Sequence, residues 1–209
     1  MKPSDAESHI IWLETADSTN SVLRKQIPSL DNLSIIAATE QTAGRGQGSH
    51  AWFASPGANL TFSILYRFEG DFSLAVADVI LVTQVTTLAI RDYLLRYGVE
   101  ARIKWPNDIW VGDRKICGIL IENTLEDGFV RESIVGIGLN INETDWPETL
   151  PNPVSLRELT GRTYKLRQEL LLLQNELRRR FGLLADADGR ASLQEEFGKY
   201  MFRLHEEPK

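Results

Sequence analysis

Short apolar runs alternate with polar or glycine-containing segments over the first two-thirds of the chain, and helical periodicity takes over in two places. HIIWLE (9 to 14) suits a buried strand, and DSTNSVLRKQI follows with Asp17, Ser18 or Thr19 placed to cap a helix running to about Gln26, before Pro28. SIIAATE (34 to 40) predicts a second buried strand, and NLTFSILYRF (59 to 68), alternating and rich in aromatic and β-branched residues, a third. From Ser73 to Tyr97 the residues Leu74, Ala77, Leu81, Val85, Leu88 and Leu95 recur at helical spacings, predicting one long helix ended by Gly98.

ARIKWPNDIWVGDRKICGILIEN (101 to 123) reads as a β-hairpin about Gly112-Asp113, with glycine where a type II′ turn requires it. A two-residue loop sets Val111 opposite Arg114, Trp110 opposite Lys115, Asp108 opposite Cys117 and Asn107 opposite Gly118. RESIVGIGLNIN (131 to 142) is a further strand, WPETLPNP (146 to 153) a proline-rich turn, and residues about 164 to 204 a helical tail centred on KLRQELLLLQNELRRRF. Clustered strands with helices packed on them predict an α+β fold with a mixed, mainly antiparallel sheet.

Composition narrows the class. The 209 residues are 43% hydrophobic and 25% charged, enough for one main domain with a substantial core. The net charge of −6 with no local basic patch argues against a nucleic-acid surface. No leader pattern and no run of about 18 apolar residues is visible, so a soluble, cytoplasmic protein without membrane contact is expected. A single cysteine, Cys117, excludes an internal disulfide and a multi-cysteine metal site; between Ile116 and Gly118 it reads as a small core residue. His9, His50 and His205 have no metal-ligand spacing, and a metal site is not identifiable.

The residues with candidate chemistry lie at strand ends. TAGRGQG (42 to 48) lacks the Gly-Lys-Ser/Thr of a phosphate loop and has the wrong spacing for a dinucleotide fingerprint. It reads either as a pliable turn or as a cradle in which glycine backbone and Arg45 meet a carboxylate or phosphate. In KWPND the proline keeps Trp105 extended and holds Lys104 at a strand end. Lys104 and Lys115 each read equally well as solvated strand lysines, and DSTN as a plain helix cap or a ligand-facing helix start.

Taken in order, DSTN (17 to 20), QTAGRGQ (41 to 47), KWPND (104 to 108), RKICGIL (114 to 120) and GLNIN (138 to 142) resemble the catalytic domain of biotin protein ligases, over roughly residues 10 to 200. The resemblance implies the class II aminoacyl-tRNA synthetase-like fold of the biotin/lipoate ligases. It also implies an ATP-dependent reaction that makes biotinyl-5′-AMP and transfers biotin to one lysine of a biotin carboxyl carrier domain. Magnesium is implied as the companion of pyrophosphate. By the same resemblance Arg45 and Lys115 are catalytic cations. The biotin positions are Ser18, Thr19, Asn20, Gln41, Gly44, Arg45, Gly46, Gln47, Lys115 and Gly118. Those for ATP are Arg45, Trp52, Lys104, Asn107, Asp108, Lys115 and Asn140.

Many members carry a second arginine where this chain has Gln47-Gly48-Ser49, which implies looser retention of the adenylate. A catalytic domain over 1 to 204, a tail over 205 to 209, no DNA-binding region before DSTN, and an absent or truncated C-terminal SH3-like domain are the expected organisation. Homodimers through sheet edges are common in the family. The competing readings are a lipoate or octanoate ligase or transferase of the same fold, and a non-catalytic biotin- or nucleotide-binding homologue.

Overall fold

The computed structural model describes residues 9–46, 48 and 51–202. Among these residues eight strands form one sheet: β1 (Ile10–Ala16), β2 (Ile35–Gln41), β3 (Leu60–Arg67), β4 (Leu74–Ala75), β5 (Arg102–Lys104), β6 (Asp108–Val111), β7 (Arg114–Glu126) and β8 (Phe129–Leu139). Their order is β1-β2-β3-β8-β7-β6-β5, with β4 pairing beside β8. Among the described strands only the β1–β2 pair is parallel, so the sheet is mixed and mainly antiparallel, as its hairpin-rich sequence implies.

The side-chain period of two separates the faces. In β8 the large residues Val135, Ile137 and Leu139 enter the main core with Phe62, Ile64 and Tyr66 of β3. The intervening Ile134, Gly136 and Gly138 face the other way. The helices α2 (Ile80–Leu95), α4 (Leu166–Gly182) and α5 (Ala187–Tyr200) cover the core face and supply, among others, Leu88, Leu173, Leu177 and Leu193, all fully buried. On the opposite face α1 (Thr19–Gln26) inserts Leu23 against Ile36, Leu65 and Ile134. Among the described residues no helix is long and apolar enough to cross a membrane.

Several boundaries differ from the pattern. The helix expected from Ser73 begins at Ile80, because Leu74 is fully buried and pairs with Val130 while Ala75 pairs with Phe129. The helical tail is two helices, interrupted where Asp186 caps α5 by accepting from the Gly189 N–H at 2.7 Å. A short helix, α3 (Leu156–Thr160), has a full capping box of Ser155 and Glu158 whose S-x-x-E signature stands in the sequence.

The β6–β7 hairpin turns at Gly112 with φ of +57°, and Val111 opposes Arg114 and Trp110 opposes Lys115. Beyond these the register slips by one at an irregularity between Ile109 and Trp110. Asp108 therefore opposes Gly118, not Cys117, and Ile109 opposes Cys117. The extra residue on β7 allows Ile116 and Cys117, adjacent in sequence, both to be fully buried.

Candidate functional site

The parallel pairing of β1 and β2 brings their C-terminal ends together, with Ala16 beside Gln41. The start of α1 and the glycine-rich loop are therefore neighbours. The N–H groups of Thr42 and Ala43 donate to Ala16 and Asp17 carbonyls at 2.9 Å, which fixes the root of that loop. Ser18 is the N-cap of α1 but makes no side-chain cap. The Gln41 Oε1 accepts from the Thr19 N–H at 2.8 Å instead and so caps the helix from β2. Ser18 itself is buried and lines a cavity of about 220 Å³.

That cavity is lined by Ser18, Thr19 and Asn20 of the α1 start, Gln41 of β2, and Arg45, Gly46 and Trp52 of the loop. Asn107, Asp108, Lys115 and Gly118 of the β6–β7 hairpin complete it. Its floor is the glycine face of β7 and β8. Gly118 pairs with Gly138, and Gly136 lies two residues away on the same face. A Cβ at Gly138 would stand 2.2 Å from the Trp52 ring, one at Gly118 2.8 Å from it, and one at Gly136 2.5 Å from Asn20 Oδ1. Without side chains at these three positions a flat group can lie directly on backbone, and the Trp52 ring does so at Gly118 and Gly138. The alternating G-I-G of 136 to 138 marked this face in the sequence, yet Gly136 and Gly138 were not singled out as site residues.

The loop folds back on itself. Trp52 N–H donates to the Gly44 carbonyl at 3.0 Å, and Arg45 forms an antiparallel bridge with Ala51. Gly44 stands outside the lining, but a Cβ there would lie 2.8 Å from the Trp52 carbonyl, so it shapes the loop. Gln47 and Ser49 lie outside the described residues. Trp52 turns its indole down over the glycine floor with Nε1 buried and without a hydrogen-bond partner.

Charge converges from two sides. Lys115 Nζ sits 2.7 Å from Asp108 Oδ1 and 5.8 Å from the centre of the Trp52 ring. Its backbone is tied down by Asn152 and Val154, through Lys115 N–H to Asn152 O at 2.8 Å and Val154 N–H to Lys115 O at 3.0 Å. Asn140 stands behind it, outside the cavity lining, and its Nδ2 donates to Val154 O at 3.1 Å and to Lys115 O at 3.4 Å. Asn107 is fixed against β7, its carbonyl accepting from Ile119 N–H and its Nδ2 donating to Ile119 O, both at 2.9 Å. Lys104 is also outside the lining; its Nζ lies 3.8 Å from the centre of the Trp110 ring.

At the other end, Ser63 Oγ donates to Asn20 Oδ1 at 2.5 Å and lies 2.7 Å from Thr19 Oγ1. Asn20 Nδ2 donates to Glu122 Oε2 at 2.8 Å. The same oxygen meets Arg24 at 3.0 Å and Arg45 at 3.5 Å. Ser63, Glu122 and Arg24 were not identified from sequence; Glu122 is legible only once β7 is known to carry Gly118, Leu120 and Glu122 on one face. Cys117 is buried on the opposite face among the core residues, and burial pushes its thiol up, well above the ordinary thiol range.

Polar groups with Arg45 beside them at one end, an apolar glycine floor and Lys115 at the other form a slot for an elongated ligand with a neutral hydrogen-bonding head and an anionic end. Among the described residues no group of three or more His, Cys, Asp or Glu side chains is placed to hold a metal, and Asp108 is the carboxylate in the lining. Such a donor set suits an ion carried on ligand phosphates and water better than one caged by protein.

The model of the Biotin/lipoate A/B protein ligase family matches residues 12–140. The bifunctional ligase/repressor BirA of Escherichia coli is 35% identical over 130 residues, covering 62% of this chain and 39% of that protein. A biotin--[acetyl-CoA-carboxylase] ligase of Paracoccus denitrificans is 37% identical over 132 residues, 62% of this chain and 53% of that one. The chain thus spans about half, or less, of the length of these curated relatives. In three dimensions it is similar to a biotin protein ligase from Aquifex aeolicus solved with biotin and ATP, at a TM-score of 0.77 and 24% identity. That match covers 94% of this chain and 79% of the other, and at this identity it concerns the fold.

Proposed function

Because the chain belongs to the Biotin/lipoate A/B protein ligase family, we propose that it is a biotin protein ligase. In this reading it condenses biotin with ATP to biotinyl-5′-AMP and pyrophosphate, then passes biotin to a lysine of a biotin carboxyl carrier domain. The observation that carries it is the one cavity in which Ser18 to Asn20, Gln41, Arg45, Trp52, Asn107, Asp108, Lys115 and Gly118 meet from separate segments.

Ser18, Thr19, Asn20 and Gln41 supply donors and acceptors to the ureido head, whose ring system lies on the glycine floor once the Trp52 indole lifts from Gly118 and Gly138. The acid end then points toward Arg45 and Lys115. A biotin carboxylate oxygen attacks the α-phosphorus as the bond to pyrophosphate breaks, and both partners are anionic. The two cations offset that repulsion and stabilise charge as it builds in the transition state. Asp108, Asn107 and Trp52 border the nucleotide, and Asn140 braces the Lys115 backbone. Lys104 is assigned to the phosphate tail, which its four-carbon stem reaches by leaving Trp110. Asp108, the carboxylate in the lining, would meet a magnesium ion carried on the nucleotide's phosphates, and that ion would offset their charge. In the second step the carrier lysine attacks the acyl carbon and AMP leaves; the closed loop around Trp52 keeps water from that anhydride.

Transferases in the lipoate branch need a cysteine nucleophile, and the buried Cys117 with its raised thiol supports the ligase reading over that one. Biotin-dependent release of pyrophosphate from Mg-ATP tests the first step. Release that does not depend on biotin, or that lipoate supports equally well, overturns the assignment.

A further inference from the structure

One carboxylate oxygen at the rim of the slot gathers three donors. Glu122 Oε2 accepts from Asn20 Nδ2 at 2.8 Å and from Arg24 at 3.0 Å, and Arg45 Nη2 stands at 3.5 Å. Arg45 is the most weakly held of the three, and it alone belongs to the glycine loop. The other two come from α1, a helix anchored by the buried Leu23.

We propose that Glu122 competes with the ligand's carboxylate for Arg45: it holds the guanidinium at the slot rim and releases it to the ligand when the acid end arrives. Arg24 makes the handover possible. When Arg45 leaves, Arg24 keeps Glu122 neutralised, so no uncompensated carboxylate faces the incoming one. The Asn20 bond ties the same oxygen to the ureido end, since Asn20 Oδ1 accepts from Ser63 only while Nδ2 is turned to Glu122. The side chains of Arg24, Arg45 and Glu122 are 53%, 46% and 25% exposed, which places the contact among partly solvated ion pairs that exchange readily.

The inference rests on the reading of the slot as a biotin site, and the test separates the two. Calorimetry compares biotin with biotinamide, in which a neutral amide replaces the carboxylate, in wild-type protein and in Glu122→Gln. The glutamine keeps an oxygen for Asn20 and loses the hold on Arg45. Biotin affinity rises about two- to fivefold, the range of an exchangeable surface ion pair, and biotinamide affinity stays within twofold. In an Arg45→Gln background the same change at Glu122 leaves biotin affinity unaltered.

Equal shifts for both ligands would make Glu122 a structural residue. No shift for either, or weaker biotin binding alone, would exclude competition for Arg45, and an undiminished gain in the Arg45→Gln background would reduce the effect to a general field. Any of these overturns the handover while leaving the biotin reading intact, whereas wild-type protein that takes up neither ligand overturns the reading and the handover together.

Discussion

Lys115 Nζ and Asp108 Oδ1 meet at 2.7 Å across the β6–β7 hairpin, at the point where the slipped register sets Asp108 opposite Gly118. The pair holds a cation at the cavity wall with its stem alongside the glycine floor. Lys115→Ala is expected to cut biotin-dependent pyrophosphate release roughly ten- to 150-fold, the worth of about 1.5 to 3 kcal/mol in a charge-assisted contact. Biotin affinity measured by calorimetry falls far less. Equal losses in both would make Lys115 a binding or structural residue.

The glycine floor predicts a steric effect with little change in fold. A methyl group at Gly136 would stand 2.5 Å from Asn20 Oδ1 and must push that amide out of place. Gly136→Ala is expected to weaken biotin binding about five- to 150-fold, in line with roughly 1 to 3 kcal/mol for overpacking. Thermal melting shows whether the sheet survives; unchanged biotin affinity would remove Asn20 and Gly136 from the site.

How much of this was legible in the sequence depends on what each signal measures. Local pattern located β2, β3 and α1 to within a residue or two, because apolar period and caps are properties of a short segment. It missed the bulge after Lys115, where burying Ile116 and Cys117 together is decided by the opposite strand and the helices behind it. It also carried one helix through Leu74, whose pairing with Val130 is a contact between distant segments. The motif residues Ser18, Gln41, Arg45, Asp108 and Lys115 do converge, whereas Glu122 and Ser63 carry no motif and emerge only from which face of the sheet they occupy. Lys104 and Asn140 sit in the right blocks but outside the cavity lining, and sequence spacing does not report side-chain direction.

Cys117 provides a check on the chemistry. Its thiol is buried and raised, so iodoacetamide at pH 8 is expected to label it only after denaturation, as read by peptide mass. Cys117→Ala costs stability of about 1 kcal/mol and leaves pyrophosphate release within a few-fold of wild type. A loss beyond a hundredfold in a folded variant would return the cysteine-transferase reading.

Stability away from the slot rests on the helical layer. Arg180 is almost buried between Asp92 and Glu196, at 2.7 Å from each. Asp92→Ala removes one partner and also the contact to Arg179, and is expected to cost roughly 1.5 to 3 kcal/mol in denaturant unfolding. Biotin affinity stays as in wild type, since α2 and α4 lie on the face of the sheet away from the slot.

Incubating the protein with biotin, Mg-ATP and an apo carrier domain, then measuring the intact mass of the carrier, decides whether it is a biotin protein ligase. The expected result is a gain of one biotin less one water on a single lysine, dependent on ATP and slowed by Lys115→Ala. An unchanged carrier mass, with the gain seen in parallel from an established biotin ligase, would contradict it.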